Sequence, residues 1–124
     1  MDVSLAEREL DVMGVLWELG TGTVAEVRAR LPVELAYTTV LTILRNLEAK
    51  GFLRHEEEGK AHRYIPLVAQ QTARRSALAR LIAKLFDGSP ELLLTQLVDD
   101  HPLGADEMRR LRRQLRSRGD REDT

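Results

Sequence analysis

Residues 36–66 read AYTTVLTILRNLEAKGFLRHEEEGKAHRYIP, and the fold class follows from the change of period inside this stretch. Its first half is helical. Tyr37, Val40, Leu41, Leu44 and Leu47 recur at helical spacing, one apolar stripe on a helix from about Ala36 to Lys50 that Gly51 stops. Its second half has strand character: residues 52–58 and 61–66 flank Gly59 and Lys60, and glycine at the first loop position suits a type II′ hairpin turn. In that register His55 faces Tyr64 and Glu57 faces His62.

Upstream, two helix starts are marked. Ser4 and Glu7 have capping-box spacing, and Leu5, Val12, Met13, Leu16 and Trp17 carry a helix to Leu19, where Gly20 offers a left-handed stop. Thr23 and Glu26 form a second box, opening a short helix through Ala25, Val27 and Leu31 that Pro32 ends. Three helices closed by a hairpin within about 65 residues describe a winged helix-turn-helix. Downstream, Ala73, Ala77, Leu78, Leu81, Ile82, Leu85 and Phe86 form a long helical stripe ended by Gly88. Ser89 is an N-cap with Pro90 at the first helical position, opening a helix with Leu92, Leu93, Leu94, Leu97 and Val98. A last helix carries Leu103, Met108, Leu111 and Leu115, with Asp106 and Glu107 in its first turn and Arg112, Arg113 and Arg116 towards its end. The tail after Ser117 is charged and expected to fray.

The fold class is therefore mostly α (α+β), with an N-terminal winged helix-turn-helix over residues 1–69 and a three-helix lobe over residues 70–124. That lobe is too apolar for its size: about fifty residues have little core of their own, and surplus apolar surface is most cheaply hidden against a second copy. The expected two-fold interface comprises Leu78, Leu81, Ile82, Leu85, Phe86, Leu93, Leu97, Leu111 and Leu115.

Composition narrows the chemistry. The 124 residues carry a net charge of −1, which is neither a polycation nor a disordered acidic chain. The absence of cysteine excludes a disulfide scaffold, a thiol nucleophile and cysteine-based metal sites. The N-terminus holds acidic residues where a secretory signal would be basic and then apolar, and no apolar run spans a bilayer, so a cytoplasmic location without membrane insertion is expected. Charge is unevenly distributed: residues 36–80 hold eight basic and four acidic groups, whereas residues 1–35 hold three and seven. The electropositive middle contains the stretch quoted above.

With the apolar stripe inward, Thr38, Thr39, Thr42, Arg45 and Asn46 share the outward side of the third helix. Small hydroxyls let a helix sit deep in a major groove and bond phosphates or base edges, while Arg and Asn make bidentate base contacts. The same face also fits a solvated surface. Tyr37 fits either core packing or a phosphate contact through its hydroxyl. At the hairpin tip Lys60, His62 and Arg63 suit the DNA backbone, but Glu56, Glu57 and Glu58 would be repelled by it; a charged edge that blocks strand addition accounts for the tip as well. Catalysis finds no support. His55, His62 and His101 lack metal-ligand spacing, the serines sit at caps or in helices, and Gly59-Lys60 lacks the glycine spacing of a phosphate loop. No catalytic residue, metal or cofactor is expected.

ELDVM (9–13), LWELG (16–20), TVAEVRA (23–29), AYTTVLTILRNLEAKGFL (36–53) and GKAHRYIP (59–66) together resemble the BlaI/MecI/CopY family of bacterial penicillinase-type repressors. The resemblance implies a homodimeric DNA-binding transcriptional repressor on a near-palindromic, double-stranded operator. It implies a recognition helix at about Ala36–Lys50 that places Thr38, Thr39 and Thr42 on DNA, with Arg63 in the wing. In several members a membrane-bound sensor protease relieves repression by cutting within the C-terminal helices. The corresponding position here is Gln96-Leu97, where neither residue of the Asn-Phe pair cut in staphylococcal members is kept. The C-terminal cysteines of the copper-responsive branch are absent, and Asn46 stands where several members carry a basic residue. Two other readings remain at this level. One is a winged-helix module that docks a protein, which the threonine-rich face disfavours. The other is a small-molecule-responsive regulator, which the 4% aromatic content disfavours.

Overall fold

The structure is a computed structural model that describes residues 5–122, with side chains as far as Gly119. Its elements run α1 (Glu7–Leu19), β1 (Gly22–Thr23), α2 (Val24–Arg30), α3 (Tyr37–Ala49), β2 (Leu53–Glu58), β3 (Ala61–Pro66), α4 (Gln70–Leu85), α5 (Pro90–Asp100) and α6 (Ala105–Glu122). The expected helices and hairpin are all present, in the expected order. Among the described residues no helix is long and apolar enough to cross a membrane.

Helix α1 starts later than its sequence suggests. Its N-cap is Ala6, whose N–H donates to Glu9 Oε1 at 3.0 Å, and Ser4 of the expected capping box lies outside the described residues. The box at α2 is as expected: Glu26 N–H donates to Thr23 Oγ1 at 3.3 Å and Thr23 N–H to Glu26 Oε1 at 2.9 Å. Gly51, at φ +88°, ends α3 in a conformation that a side chain would resist. The hairpin register pairs His55 with Tyr64 and Glu57 with His62, and Gly59 supplies φ +61° at the first turn position. The sheet has three strands rather than two. Residues Gly22 and Thr23 pair with Tyr64 and Arg63, so β3 is central and the order is β1-β3-β2. A two-residue strand has no period to detect, because its pairing comes entirely from the partner.

The chain divides into two compact units, one ending at Arg80 and the other beginning at Leu81. This is later than the expected boundary after residue 69, because Val68 and Ala73 join the core of the first unit. That core is built from Val12, Met13 and Leu16 of α1, Val24 and Val27 of α2, Val40, Leu44 and Leu47 of α3, and Phe52, Leu53 and Tyr64 of the wing. Trp17 Nε1 donates to Val68 O at 2.8 Å and fixes the chain as it leaves the wing. Beyond Leu53 the outer part of β2 is exposed, so the hairpin stands out from the body as a wing.

The second unit has no such interior. Among the described residues none of α5 is buried, and Leu81, Leu85, Leu92, Leu94, Leu97, Val98 and Leu115 are exposed. Ser89 Oγ accepts from Leu92 N–H at 3.1 Å, with Pro90 in the first turn, as its sequence predicts. The charged stretch after Ser117 is helical, with α6 continuing to Glu122.

Candidate nucleic-acid interface

Helix α3 is held from beneath by Val40, Leu44 and Leu47, all fully buried. At 100° per residue this leaves Thr38, Thr39, Thr42, Arg45 and Asn46 within an arc of about 120° on the opposite side, and all five are exposed. Thr42 Oγ1 donates to Thr38 O at 2.9 Å, which uses the hydroxyl proton and fixes the rotamer. The oxygen lone pairs and the methyl group remain for an external partner. Among the described residues, the side chains of Arg45, Asn46 and Lys60 make no hydrogen bond or ion pair, and all three are exposed.

Tyr37 departs from the expected inward stripe. It is 48% exposed and lines a shallow cleft with Ala25, Arg28, Ala29, Glu34 and Leu35. The first turn of α3 extends past the core edge, so the stripe begins at Val40, and the core-packing alternative for Tyr37 is excluded. Arg28 Nε donates to Leu35 O at 2.7 Å and braces the connection between α2 and α3 beside it.

The wing redistributes the charges that looked contradictory in sequence. Arg54 Nη1 lies 2.8 Å from Glu56 Oε1, and Arg63 Nη2 lies 2.8 Å from Glu58 Oε2, so two of the three carboxylates are neutralised within the hairpin. Arg63, expected at a phosphate, is paired within the protein. Besides Glu58, its Nη1 lies 3.0 Å from Glu26 Oε1 and donates to Thr21 Oγ1 at 3.1 Å. It thereby ties β3 to the cap of α2. The bonds to Glu58 and Glu26 raise the guanidinium pKa further, while the Thr23 N–H and then Arg63 hold the Glu26 carboxyl below its ordinary value. Lys60 remains the cation presented at the tip.

A second junction joins the wing to the last turns of α3. His55 Nδ1 lies 2.5 Å from Glu48 Oε2, and the His55 and His62 rings stack with centroids 4.3 Å apart and planes 9° from parallel. Among the described residues no group of three or more His, Asp or Glu side chains is arranged to hold a metal ion. Of the residues expected at a subunit interface, Leu78, Leu81, Leu85, Leu97 and Leu115 are exposed, while Ile82, Phe86, Leu93 and Leu111 are half-buried. Gln96, expected in the cleavage region, donates to Asp100 within α5.

The sequence reading did not identify Glu9, Thr21, Glu26, Glu48 or Lys50 as supports of this surface. A signal for Glu9 was present, since a carboxylate one turn before Val12 and Met13 on the core-facing stripe calls for a buried partner.

The profile of the family described as penicillinase repressor matches residues 5–117. The chain is 34% identical over 115 residues to the transcriptional regulator BlaI of Mycobacterium tuberculosis, covering 90% of this chain and 82% of that protein. Among solved structures it is similar to the DNA-binding domain of the repressor BlaI, with a TM-score of 0.51 and 29% identity over 58% of this chain and 93% of that one. A MarR family protein from Bacillus stearothermophilus shares the fold alone, with a TM-score of 0.54 and 16% identity over 98% of this chain and 78% of that one.

Proposed function

The chain belongs to the penicillinase repressor family and is a DNA-binding transcriptional repressor; from that premise we propose that it binds a near-palindromic operator as a homodimer, with α3 of each copy in a major groove. The observation that carries this reading is the exposed arc of Thr38, Thr39, Thr42, Arg45 and Asn46 above a fully buried stripe. Threonine methyls suit thymine, and Arg45 and Asn46 have the donors for bidentate base contacts. Tyr37, at the exposed start of α3, and Lys60, at the tip of the wing, serve the phosphate backbone. Arg63 seats the wing, because a phosphate would have to displace two carboxylates and a hydroxyl from its guanidinium.

Residues 1–69 supply DNA binding and residues 70–124 supply dimerisation in this reading. The support for a dimer is the leucines left exposed on α4, α5 and α6, apolar surface that a second copy would remove from water. Two-fold pairing would place the two α3 helices one helical turn of DNA apart, about 34–36 Å. Relief of repression by a membrane-bound sensor protease acting near Gln96-Leu97 belongs to the same proposal, and mass analysis of the chain recovered from induced cells tests it.

A fluorescence titration against a palindromic promoter fragment at two salt concentrations tests the main claim. Tight binding that weakens steeply with salt is expected, since displaced counterions drive association. Absence of binding at low salt, or affinity indifferent to salt, contradicts it.

A further inference from the structure

Glu9 is the one charged side chain buried among the described residues, at 8% exposure. It stands in the first turn of α1, on the face that carries Val12, Met13 and Leu16 into the core. Its carboxylate accepts from Lys50 Nζ at both oxygens, at 2.8 and 2.7 Å, and from Ala6 N–H at 3.0 Å. Lys50 is the C-cap residue of α3, directly before Gly51, where the chain turns towards the wing. The pair therefore fastens the far end of α3 and the root of the wing to α1, across forty-one positions of sequence.

Such a pair is a poor way to gain stability, because the desolvation of the carboxylate offsets much of the attraction, and an apolar pair of similar size often serves as well. It differs from apolar packing in being directional. Val40, Leu44 and Leu47 hold α3 on the core through contacts that tolerate small rotations and slides, whereas two short N–H···O bonds define where one end of the helix lies. Reading bases requires side chains placed to a fraction of an ångström, whereas attraction to phosphates does not.

We propose that Glu9, acting through Lys50, is a positioning residue for DNA recognition: the pair fixes the pose of α3 and so the discrimination of operator from other DNA. This rests on the reading of α3 as the helix that meets the bases. The test uses the full chain as wild type, as Glu9→Gln and as Glu9→Met/Lys50→Met, at a temperature below each unfolding transition. Each is titrated with a duplex selected from a random-sequence pool by the wild type, and with a shuffled duplex of the same length and composition. The ratio of the two affinities is expected to fall about tenfold in both variants, the worth of one well-placed base contact. Affinity for the shuffled duplex and the salt slope of Glu9→Gln should stay at wild-type values, because no phosphate contact is removed.

The double variant separates positioning from folding. It is expected to recover thermal stability that Glu9→Gln loses while its affinity ratio stays low. A wild-type ratio in the double variant overturns the positioning role, as does equal weakening on both duplexes. If Glu9→Gln does not fold, the double variant alone decides. A wild-type ratio near one is a different result: it overturns the base-reading role of α3, and this inference with it.

Discussion

The two units of this chain use similar residues to opposite effect. Every buried apolar side chain among the described residues lies between Val12 and Ala73, whereas α5, at least as leucine-bearing as α1 and α3, has no fully buried residue. The difference lies in geometry. In the first unit three short helices cross a small sheet, and a hairpin folds back to cover what the helices leave open. The second unit is the end of α4 followed by α5 and α6, with no strand among its described residues to close them. A leucine-rich helix gives a core only where the topology supplies a second layer. The first unit can complete itself, and the second leaves leucines exposed, which is what the proposed dimer would cover.

The largest expected effect breaks the second unit alone. Leu81→Asp places a carboxylate on the exposed stripe of α4 and should weaken dimerisation by more than about a thousandfold, about 4 kcal/mol. Operator affinity should fall with it. Sedimentation showing an intact dimer at micromolar concentration would refute the interface. Leu44→Ala addresses the first unit: deleting a fully buried leucine side chain should cost about 2–5 kcal/mol of folding stability in a denaturant melt, with self-association measured below the transition unchanged.

Thr42→Val sharpens the comparison at the DNA surface. It keeps shape and removes the hydroxyl, so operator affinity should fall about tenfold while both stability and dimerisation hold. A parallel loss of stability would make the Thr42–Thr38 bond a structural contact instead. Acid should weaken the first unit. Burial pushes the Glu9 pKa up, but the bonds from Lys50 and Ala6 and the Lys50 charge together hold it below its ordinary 4.5, and Glu26 is lowered by the Thr23 N–H and Arg63. A group with a depressed folded pKa contributes stability above its unfolded pKa and loses it as pH falls through the folded one. Melting temperature should thus drop as pH is lowered from about 5 towards 3, and Glu9→Gln should flatten that profile. The smallest effect belongs to Arg63→Gln, which should reduce operator affinity severalfold while lowering the salt slope by clearly less than about one unit. A decrease of a full unit would place Arg63 on a phosphate.

Much of the interface was legible from residue order. The apolar stripe of α3 decided that Thr38, Thr39, Thr42, Arg45 and Asn46 face outward, because helical period alone sets which positions share a side. The hairpin register followed from Gly59 and the two-residue loop. Tyr37 was misplaced because period gives the direction of a side chain but not where the neighbouring core ends. The wing's charge puzzle could not be solved from composition either, since Glu58 and Arg63 neutralise one another only once the hairpin brings them together.

What sequence by itself determined here is everything governed by local rules: six helices with the N-caps of α2 and α5, one hairpin, and an outward threonine face on α3. Tertiary structure alone decided which charges are spent internally, that β1 exists, and that Glu9 meets Lys50. Those features depend on distances between residues far apart in the chain, and a periodic pattern carries no record of them until the core brings the segments together.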